Sequence, residues 1–202
     1  MEDSYQSLAG PSEGLYKEKG SKFIAHAYPV ASISEIENRL QQLRNTYHDA
    51  RHHCYAYQLK ALPGATGRYR ANDDGEPKHS AGDPILGQIR SANLKDVLVV
   101  VIRYFGGTKL GVSGLMNAYK IASAKALETG KLKQYFITRP LAIRFSYEVT
   151  NEVMRVIDEY GLTIQIQDFG AACFYRFNVP YSAYESVYNS FSSIYGAAVI
   201  NE

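Results

Sequence analysis

The sequence predicts an α+β protein of two domains, residues 1–138 and residues 139–202. Residues 97–129 read as a buried strand, a glycine-rich turn and a helix, whereas short strands and helices alternate after Pro140 in the order β-α-β-β-α-β. The charged residues are also distributed unevenly between the two parts of the chain. The first part carries 18 Lys and Arg against 13 Asp and Glu, and the second carries 4 against 7. We therefore expect a basic α/β domain followed by an acidic ferredoxin-like domain.

The overall composition is that of a globular protein with a packed core, since 46% of the 202 residues are hydrophobic and 21% are charged. No stretch approaches the roughly 18 apolar residues that a membrane-spanning helix needs, and no charged-then-apolar leader opens the chain. A cytoplasmic protein is therefore expected. Two cysteines are too few for a disulfide framework or a four-cysteine zinc site, and no cofactor is predicted.

The first sixty residues are predicted to contain two strands and one helix. Residues 1–20 are polar, contain glycine and proline, and are expected to form a loose lead-in. Residues 22–30 read as a strand. Ser32 followed by Glu35 is a capping-box pattern, so a helix should follow, and residues 53–59 read as the second strand.

A long irregular stretch, residues 63–84, comes next and contains four glycines. Loops of this length are uncommon in compact domains and are usually functional or mobile. Its acids Asp73, Asp74, Glu76 and Asp83 suit general acid/base catalysis or magnesium binding, but they are also ordinary solvated turn formers. Both interpretations remain open. A short helix is predicted from Pro84 to about Ser91.

The most distinctive stretch begins with the aliphatic run Val97–Ile102, which predicts a strand buried on both faces. Arg103, Tyr104 and Phe105 follow, and then a glycine-rich turn with a helix expected from Leu115. This layout suits an anion, because free N–H groups and the helix dipole point the same way. Alternatively, and slightly in preference from the residues alone, the glycines allow a tight turn and close packing of helix on sheet. Their spacing matches neither a P-loop nor the dinucleotide fingerprint.

The aromatic residues beside Arg103, together with Tyr69 between two arginines, resemble surfaces that stack bases and bind phosphates of single-stranded nucleic acid. Alternatively, Arg103 pairs with the acids of the preceding loop and the rings belong to the core. No metal site is predicted from His48, His52 and His53, because the last two point to opposite sides of a strand. No nucleophile–base set can be assembled from the spacing, so an enzyme is neither excluded nor required.

The second domain is predicted to begin where apolar and polar residues start to alternate after Pro140. Asn151 is placed to cap a helix, Gly161 to end it, and Asp168–Gly170 to form a turn. The predicted elements are strand 141–149, helix 151–160, strand 162–166, strand 172–179, helix 184–194 and strand 197–200.

Several of these motifs together resemble the YigZ/IMPACT family. Its signature Arg-aromatic-aromatic-Gly-Gly-x-x-Leu-Gly occurs here as residues 103–111. Similar segments are Ser-Lys-Phe-Ile at 21–24, Ala-Arg-His-His-Cys-Tyr-Ala at 50–56, and Asp-Gly-Glu-Pro at 74–77 ending in Ser-Ala-Gly at 80–82. The motifs span roughly residues 16–132. Lys78-His79 departs from the small residues often found after Glu-Pro.

The resemblance implies a first domain like the second domain of a small-subunit ribosomal protein, shared with part of elongation factor G, and a ferredoxin-like second domain. Eukaryotic members of the family regulate translation by binding an activator of a starvation-responsive initiation-factor kinase. They carry a separate N-terminal interaction domain that we do not expect in this sequence, so their activator binding is not carried over. For bacterial members the resemblance implies a fold suited to nucleic-acid or ribosome contact, with no established reaction.

The sequence therefore predicts a translation-associated regulator whose partners are RNA, the ribosome or a protein of the translation apparatus. Arg51, Arg103, Lys109 and the glycine backbone are expected to meet phosphates, while Asp74 and Glu76 order the loop. The full set of candidate ligand-binding residues is Arg51, His53, Asp74, Glu76, Arg103, Tyr104, Gly106, Gly107, Lys109 and Gly111. The alternatives are an enzyme acting on a small anionic or phosphorylated substrate between residues 63–83 and the glycine turn, and a protein-interaction module acting through the second domain.

Overall fold

The computed structural model describes residues 3–61 and 66–200. These residues form two compact units, one of residues 5–135 and one of residues 136–200 together with residues 3–4. The α+β class is confirmed. The two compact units meet in the chain between residues 135 and 136, and residues 3–4 group with the second unit.

The first unit contains seven strands and three helices among its described residues. In chain order they are β1 (Ser4–Leu8), β2 (Ser12–Glu18), β3 (Ser21–Pro29), α1 (Ile33–Thr46), β4 (His52–Gln58), β5 (Tyr69–Asn72), α2 (Gly82–Ser91), β6 (Val97–Tyr104), α3 (Gly111–Thr129) and β7 (Leu132–Phe136).

A five-stranded antiparallel sheet in the order β2-β3-β6-β4-β5 forms the middle of this unit. Helices α2 and α3 pack on one face around Phe23, Val101 and Tyr119. Helix α1 packs on the other face, where Ile36 and Val100 are buried. Every residue of Val97–Ile102 has no exposed surface, which confirms the prediction of a strand buried on both faces.

The predicted cap of α1 by Ser32 is confirmed, whereas the reciprocal bond of Glu35 goes to the residue before the cap. The Ser32 hydroxyl accepts a hydrogen bond from the Glu35 N–H at 3.2 Å, and the Glu35 carboxylate accepts one from the Ala31 N–H at 2.9 Å. The first bond satisfies an amide group that the first turn of a helix leaves without a partner, and the second fixes the residue that precedes the cap.

Three expectations for the first unit were wrong. Residues 1–20 contain β1 and β2 rather than a loose lead-in. The stretch 63–84 includes β5, which pairs with β4, although residues 63–65 lie outside the described residues. Helix α3 begins at Gly111 instead of Leu115. Strand β1 pairs with β7 from a distant part of the chain, so local periodicity carries little signal for it. Strand β2 instead forms a hairpin with β3, but the glycine and proline residues near it read as breakers of regular structure.

The second unit has the predicted β-α-β-β-α-β order. Its elements are β8 (Thr138–Phe145), α4 (Thr150–Tyr160), β9 (Ile164–Phe169), β10 (Cys173–Pro180), α5 (Tyr184–Ser192) and β11 (Ala197–Ile200). The strands form an antiparallel sheet in the order β11-β8-β10-β9, and both helices pack around its aromatic core.

Gly161 ends α4 with a left-handed φ of 59°, as the sequence predicted. The predicted turn at Asp168–Gly170 was wrong in part, because β9 continues to Phe169. Within the described ranges, no helix is both long enough and apolar enough to cross a membrane.

Candidate functional site

The candidate site lies at the carboxyl end of β6, and its centre is a buried ion pair. Arg103 Nη1 lies 2.6 Å from Glu76 Oε1, and the two side chains are only 8% and 4% exposed. The Tyr119 hydroxyl of α3 donates to the same carboxylate oxygen at 2.8 Å. Arg103 thus pairs with an acid of the preceding loop, which was the second interpretation of its sequence context. Its charge is already neutralised before any phosphate approaches.

Asp73 holds the loop that carries Glu76. Its two carboxylate oxygens accept hydrogen bonds from the backbone N–H groups of Ala81, Gly82 and His79 at 2.8–2.9 Å. Burial raises the pKa of this carboxyl, but the three amides outweigh that effect and hold it below its ordinary value. Asp73 was not among the residues predicted to bind a ligand. No local signal in the sequence pointed to this role, because the helix was expected to begin at Pro84, whereas it begins at Gly82 with Ala81 as a cap that has no side-chain hydrogen bond.

Asp74 connects the same loop to β4. Its carboxylate accepts from the His53 backbone N–H at 2.7 Å and pairs with Arg44 at 3.2 Å, and its carbonyl oxygen lies 2.9 Å from His52 Nδ1. Asp74 and Glu76 therefore contact separate neighbours, and each fixes one side of the loop.

The structure does not bring His53 to the surface that Arg103 borders. In the β4–β6 pairing His52 is opposite Arg103 and His53 is opposite Ile102, so the His53 ring lies on the other face of the sheet. It is 5% exposed, and burial lowers its pKa. Its Nε2 has no hydrogen-bond partner among the described residues. His53 is better placed to affect stability than to contact a ligand.

A pocket of about 400 Å³ lies beside the end of β6. It is lined by Asp49, Ala50, Arg51, His52, Arg103, Tyr104 and Phe105. The Tyr104 hydroxyl donates to Asp49 Oδ1 at 2.7 Å, and this bond raises the pKa of Tyr104 to about 12. Two candidate residues, Arg51 and Tyr104, thus line one pocket with Arg103.

Phe105 is the exposed aromatic residue of this pocket. The Arg103 guanidinium lies over the buried Phe23 ring at 5.5 Å and over the Phe105 ring at 5.6 Å. Such cation–π contacts stabilise the position of a ring. Phe105 is nevertheless 58% exposed, so much of its surface remains open to solvent.

The glycines of this turn have two roles: one of them permits close packing, and two others leave the backbone exposed. A Cβ on Gly106 would lie 1.9 Å from the backbone of Gly20, so only glycine permits this approach of the β2–β3 hairpin. Gly107 and Gly111 adopt left-handed φ values of 88° and 72°. Both are exposed, and no side chain caps the start of α3. Close packing therefore explains Gly106, while the other two shape an accessible turn.

Four exposed cations border this end of the sheet. Arg51 lines the pocket, Lys22 is opposite Tyr104 in the β3–β6 pairing, Lys19 precedes Gly20, and Lys109 lies in the glycine turn. None of them forms an ion pair with another residue of the ranges 3–61 and 66–200. Their charge is available to an anionic partner.

The interior of the site contains two further titratable groups. The Cys54 thiol donates to the Asp73 carbonyl oxygen at 2.9 Å and lies 3.3 Å from the Tyr119 hydroxyl. Burial raises the pKa of both groups, so both are protonated at neutral pH and neither is an activated nucleophile. In the part of the chain that the structure describes, no group of three or more His, Cys, Asp and Glu side chains is arranged to hold a metal ion.

Comparison with known proteins places these residues in a family. The Impact N-terminal domain matches residues 19–127. YvyE of Bacillus subtilis, an IMPACT family member, is 41% identical over 119 residues, which cover 59% of this chain and 54% of the relative. An IMPACT family member of Thermus thermophilus is 45% identical over 107 residues (53% and 55%), and YigZ of Escherichia coli is 33% identical over 117 residues (58% and 57%).

The matches span about half the length of these curated relatives. Among solved structures, the crystal structure of a hypothetical protein superposes on 100% of this chain and 98% of its own, with a TM-score of 0.71 and 22% identity. This second likeness concerns the fold alone. Because the Impact N-terminal domain covers more than half of the sequence, including the ion pair, the pocket and the glycine turn, the chain belongs to the IMPACT family.

Proposed function

We propose that this protein is a translation-associated regulator that binds RNA or the ribosome through the end of the first unit's sheet. The observation that carries the proposal is the group of four exposed cations without ion-pair partners among the described residues, Lys19, Lys22, Arg51 and Lys109, around the glycine turn and Phe105. Membership in a family whose eukaryotic representatives regulate translation supports the same interpretation.

The proposed roles differ from those expected for some residues. The exposed cations and the turn amides contact phosphates, whereas Arg103 is a positioning residue, since its guanidinium is held by Glu76 and lies under Phe105. Phosphate contacts position a nucleic acid without reading its sequence. Binding through this surface is therefore tolerant of sequence and sensitive to salt.

The test measures how salt affects RNA affinity. In the wild type, the logarithm of the association constant should fall linearly with the logarithm of salt concentration, because bound cations release counterions. Arg51→Ala/Lys109→Ala should reduce this slope by roughly 0.7–0.9 for each phosphate that the variant no longer neutralises. Salt-insensitive binding, or binding to neither RNA nor ribosomes, contradicts the proposal.

A matched control removes two charges from the other end of the sheet. Lys131 and Lys133 are exposed; Lys131 directly precedes β7 and Lys133 lies within it. Strand β7 pairs with β1. Strand β1 adjoins the start of β6, since the Tyr5 hydroxyl donates to Asp96 at 2.7 Å. Lys131→Ala/Lys133→Ala changes the net charge equally and should leave the slope nearly unchanged.

The corresponding experiment in cells is crosslinking and sequencing of bound RNA. Reads concentrated on ribosomal RNA in the wild type, and absent in Arg51→Ala/Lys109→Ala but not in the control, would support the proposal. RNA at background level in all three proteins would contradict it.

A further inference from the structure

The position of Phe105 is unusual for a large apolar side chain. More than half of it is exposed, although it lies beside a buried strand and next to a buried cation. The Arg103 guanidinium contacts the buried side of the Phe105 ring. That guanidinium is in turn fixed by a 2.6 Å hydrogen bond to the Glu76 carboxylate. The ring is thus fixed by a chain of contacts that reaches α3 through Tyr119, while the rest of its surface remains in solvent.

The space beside this ring has the size of a small-ligand site. Its volume of about 400 Å³ lies within the range of roughly 300–1,000 Å³ that such sites span. Its walls are held by hydrogen bonds that do not involve Phe105. Tyr104 is bonded to Asp49, and His52 lies within bonding distance of the Asp74 carbonyl oxygen. The pocket therefore exists before any ligand arrives.

The polar groups of the pocket include both donors and an acceptor. Arg51 is exposed and offers guanidinium donors. The Asp49 carboxylate, which accepts a hydrogen bond from the Tyr104 hydroxyl, is the acceptor. A planar group with polar edges fits this lining better than a purely apolar one. Exposed cations at Lys22 and Lys109 provide places for flanking phosphates.

From this arrangement we infer that the pocket receives one unpaired nucleobase of a single-stranded RNA, stacked on Phe105. The inference rests on the proposed RNA binding and adds which RNA is preferred. A base inside a duplex is already stacked on its neighbours and cannot offer its face to a protein ring. Single-stranded segments can turn a base outward onto an aromatic side chain. The protein should therefore prefer single-stranded over double-stranded RNA.

The test compares one oligonucleotide alone with the same oligonucleotide annealed to its complement, by fluorescence anisotropy with the full chain. Phe105→Ala should weaken single-stranded binding by roughly 5- to 150-fold, the effect of removing one stacked base, and should leave duplex binding nearly unchanged. Phe105→Tyr, which keeps a stacking ring, should bind like the wild type. Phe136→Ala is the matched control, because Phe136 is 59% exposed but lies in β7. Thermal unfolding confirms that each variant is folded.

The outcomes separate this inference from the proposed function. If the wild type binds RNA and Phe105→Ala binds both forms as tightly as the wild type does, the inference of a base stacked on Phe105 is wrong. The proposal that the surface binds phosphates is then unaffected. Equal weakening on both forms also overturns the inference, because it shows that the substitution affects the whole surface rather than a stacked base. If the wild type binds no RNA, the proposed function fails first.

Discussion

At the scale of single residues, the Arg103–Glu76 pair dominates the site. Glu76→Ala leaves a buried guanidinium without its partner, because Arg103 is only 7% exposed and Glu76 is the carboxylate that neutralises it. Removing one member of a buried pair typically costs about 3–5 kcal/mol of unfolding free energy. We expect a decrease in this range when urea unfolding of Glu76→Ala is compared with the wild type.

The control for this substitution is the exposed pair of Arg44 and Asp74. The Arg44 side chain is 49% exposed, and exposed pairs contribute about 0–1 kcal/mol. Arg44→Ala should therefore destabilise the protein far less than Glu76→Ala. Equal decreases would mean that burial is not what makes the Arg103 pair important.

His53 gives stability a dependence on pH. Burial holds its pKa in the folded protein below the ordinary value near 6.5. Well above pH 6.5 the imidazole is neutral in both the folded and the unfolded state. As the pH falls below this value, the unfolded chain takes up the proton first, so the free energy of unfolding decreases until the folded-state pKa is reached, by at most about 1.4 kcal/mol per pH unit.

Urea unfolding between pH 7.5 and pH 5 tests this effect. His53→Asn should lose stability less steeply over this range than the wild type. The comparison is between slopes, so a constant difference in stability caused by the substitution does not enter it. Parallel slopes would show that the His53 ring is protonated equally in the two states.

At the scale of elements, Gly106 determines how the β2–β3 hairpin meets the end of β6. Gly106→Ala forces a methyl group against the Gly20 backbone, so the hairpin must move. Overpacking of this kind costs roughly 1–3 kcal/mol. Reduced thermal stability and faster hydrogen exchange in β2 and β3 are the expected results.

Gly87 provides the matched control. It lies inside α2, and an added Cβ there would meet nothing within 4 Å. Alanine is the better helix former by about 0.8–1.0 kcal/mol, so Gly87→Ala should leave stability unchanged or increase it. A decrease at Gly87 as large as that at Gly106 would contradict the steric argument.

At the scale of the whole molecule, each unit has its own hydrophobic core. Two buried clusters belong to residues 5–135, and a third belongs to residues 136–200. A fragment of residues 1–135 should therefore fold alone and unfold in one cooperative transition, because a domain with its own core is stable independently. Circular dichroism and urea unfolding check this. A fragment without a cooperative transition would show that the first unit needs the second.

The same fragment locates the proposed RNA surface. It should retain the affinity of the full chain, since Arg51, Phe105 and Lys109 all belong to it. Loss of RNA binding in a folded fragment would point to the second unit instead.

Local patterns were sufficient to predict the elements whose signals are contained in a few residues. The aliphatic run of β6, the Ser32–Glu35 cap and Gly161 were all identified correctly. They failed for β1 and β7, which are five residues long and pair with each other from distant parts of the chain, and for β5, which is only four residues long.

The chemistry of the site was only partly predictable, because the sequence shows which residues are present but not which of them are neighbours in the fold. The sequence offered both possible roles for Arg103, but only the structure shows that Glu76 is near enough to pair with it. Alternation was expected to separate His52 from His53, but the sequence could not show which of them faces the pocket, nor that Asp73 reaches the amides at the start of α2. These facts depend on register and on the path of a loop.

The place of β6 in the sheet also has a consequence for biosynthesis. Strands β3 and β4 do not pair with each other; each pairs with β6, which follows both in the chain. At roughly 5–20 residues per second, a nascent chain waits a few seconds between the appearance of β4 and that of β6. Until then β3 and β4, which flank β6 in the finished sheet, have no central partner. The rate of synthesis therefore sets a minimum period of exposure to aggregation and chaperones, and no gain in the stability of the finished fold shortens it.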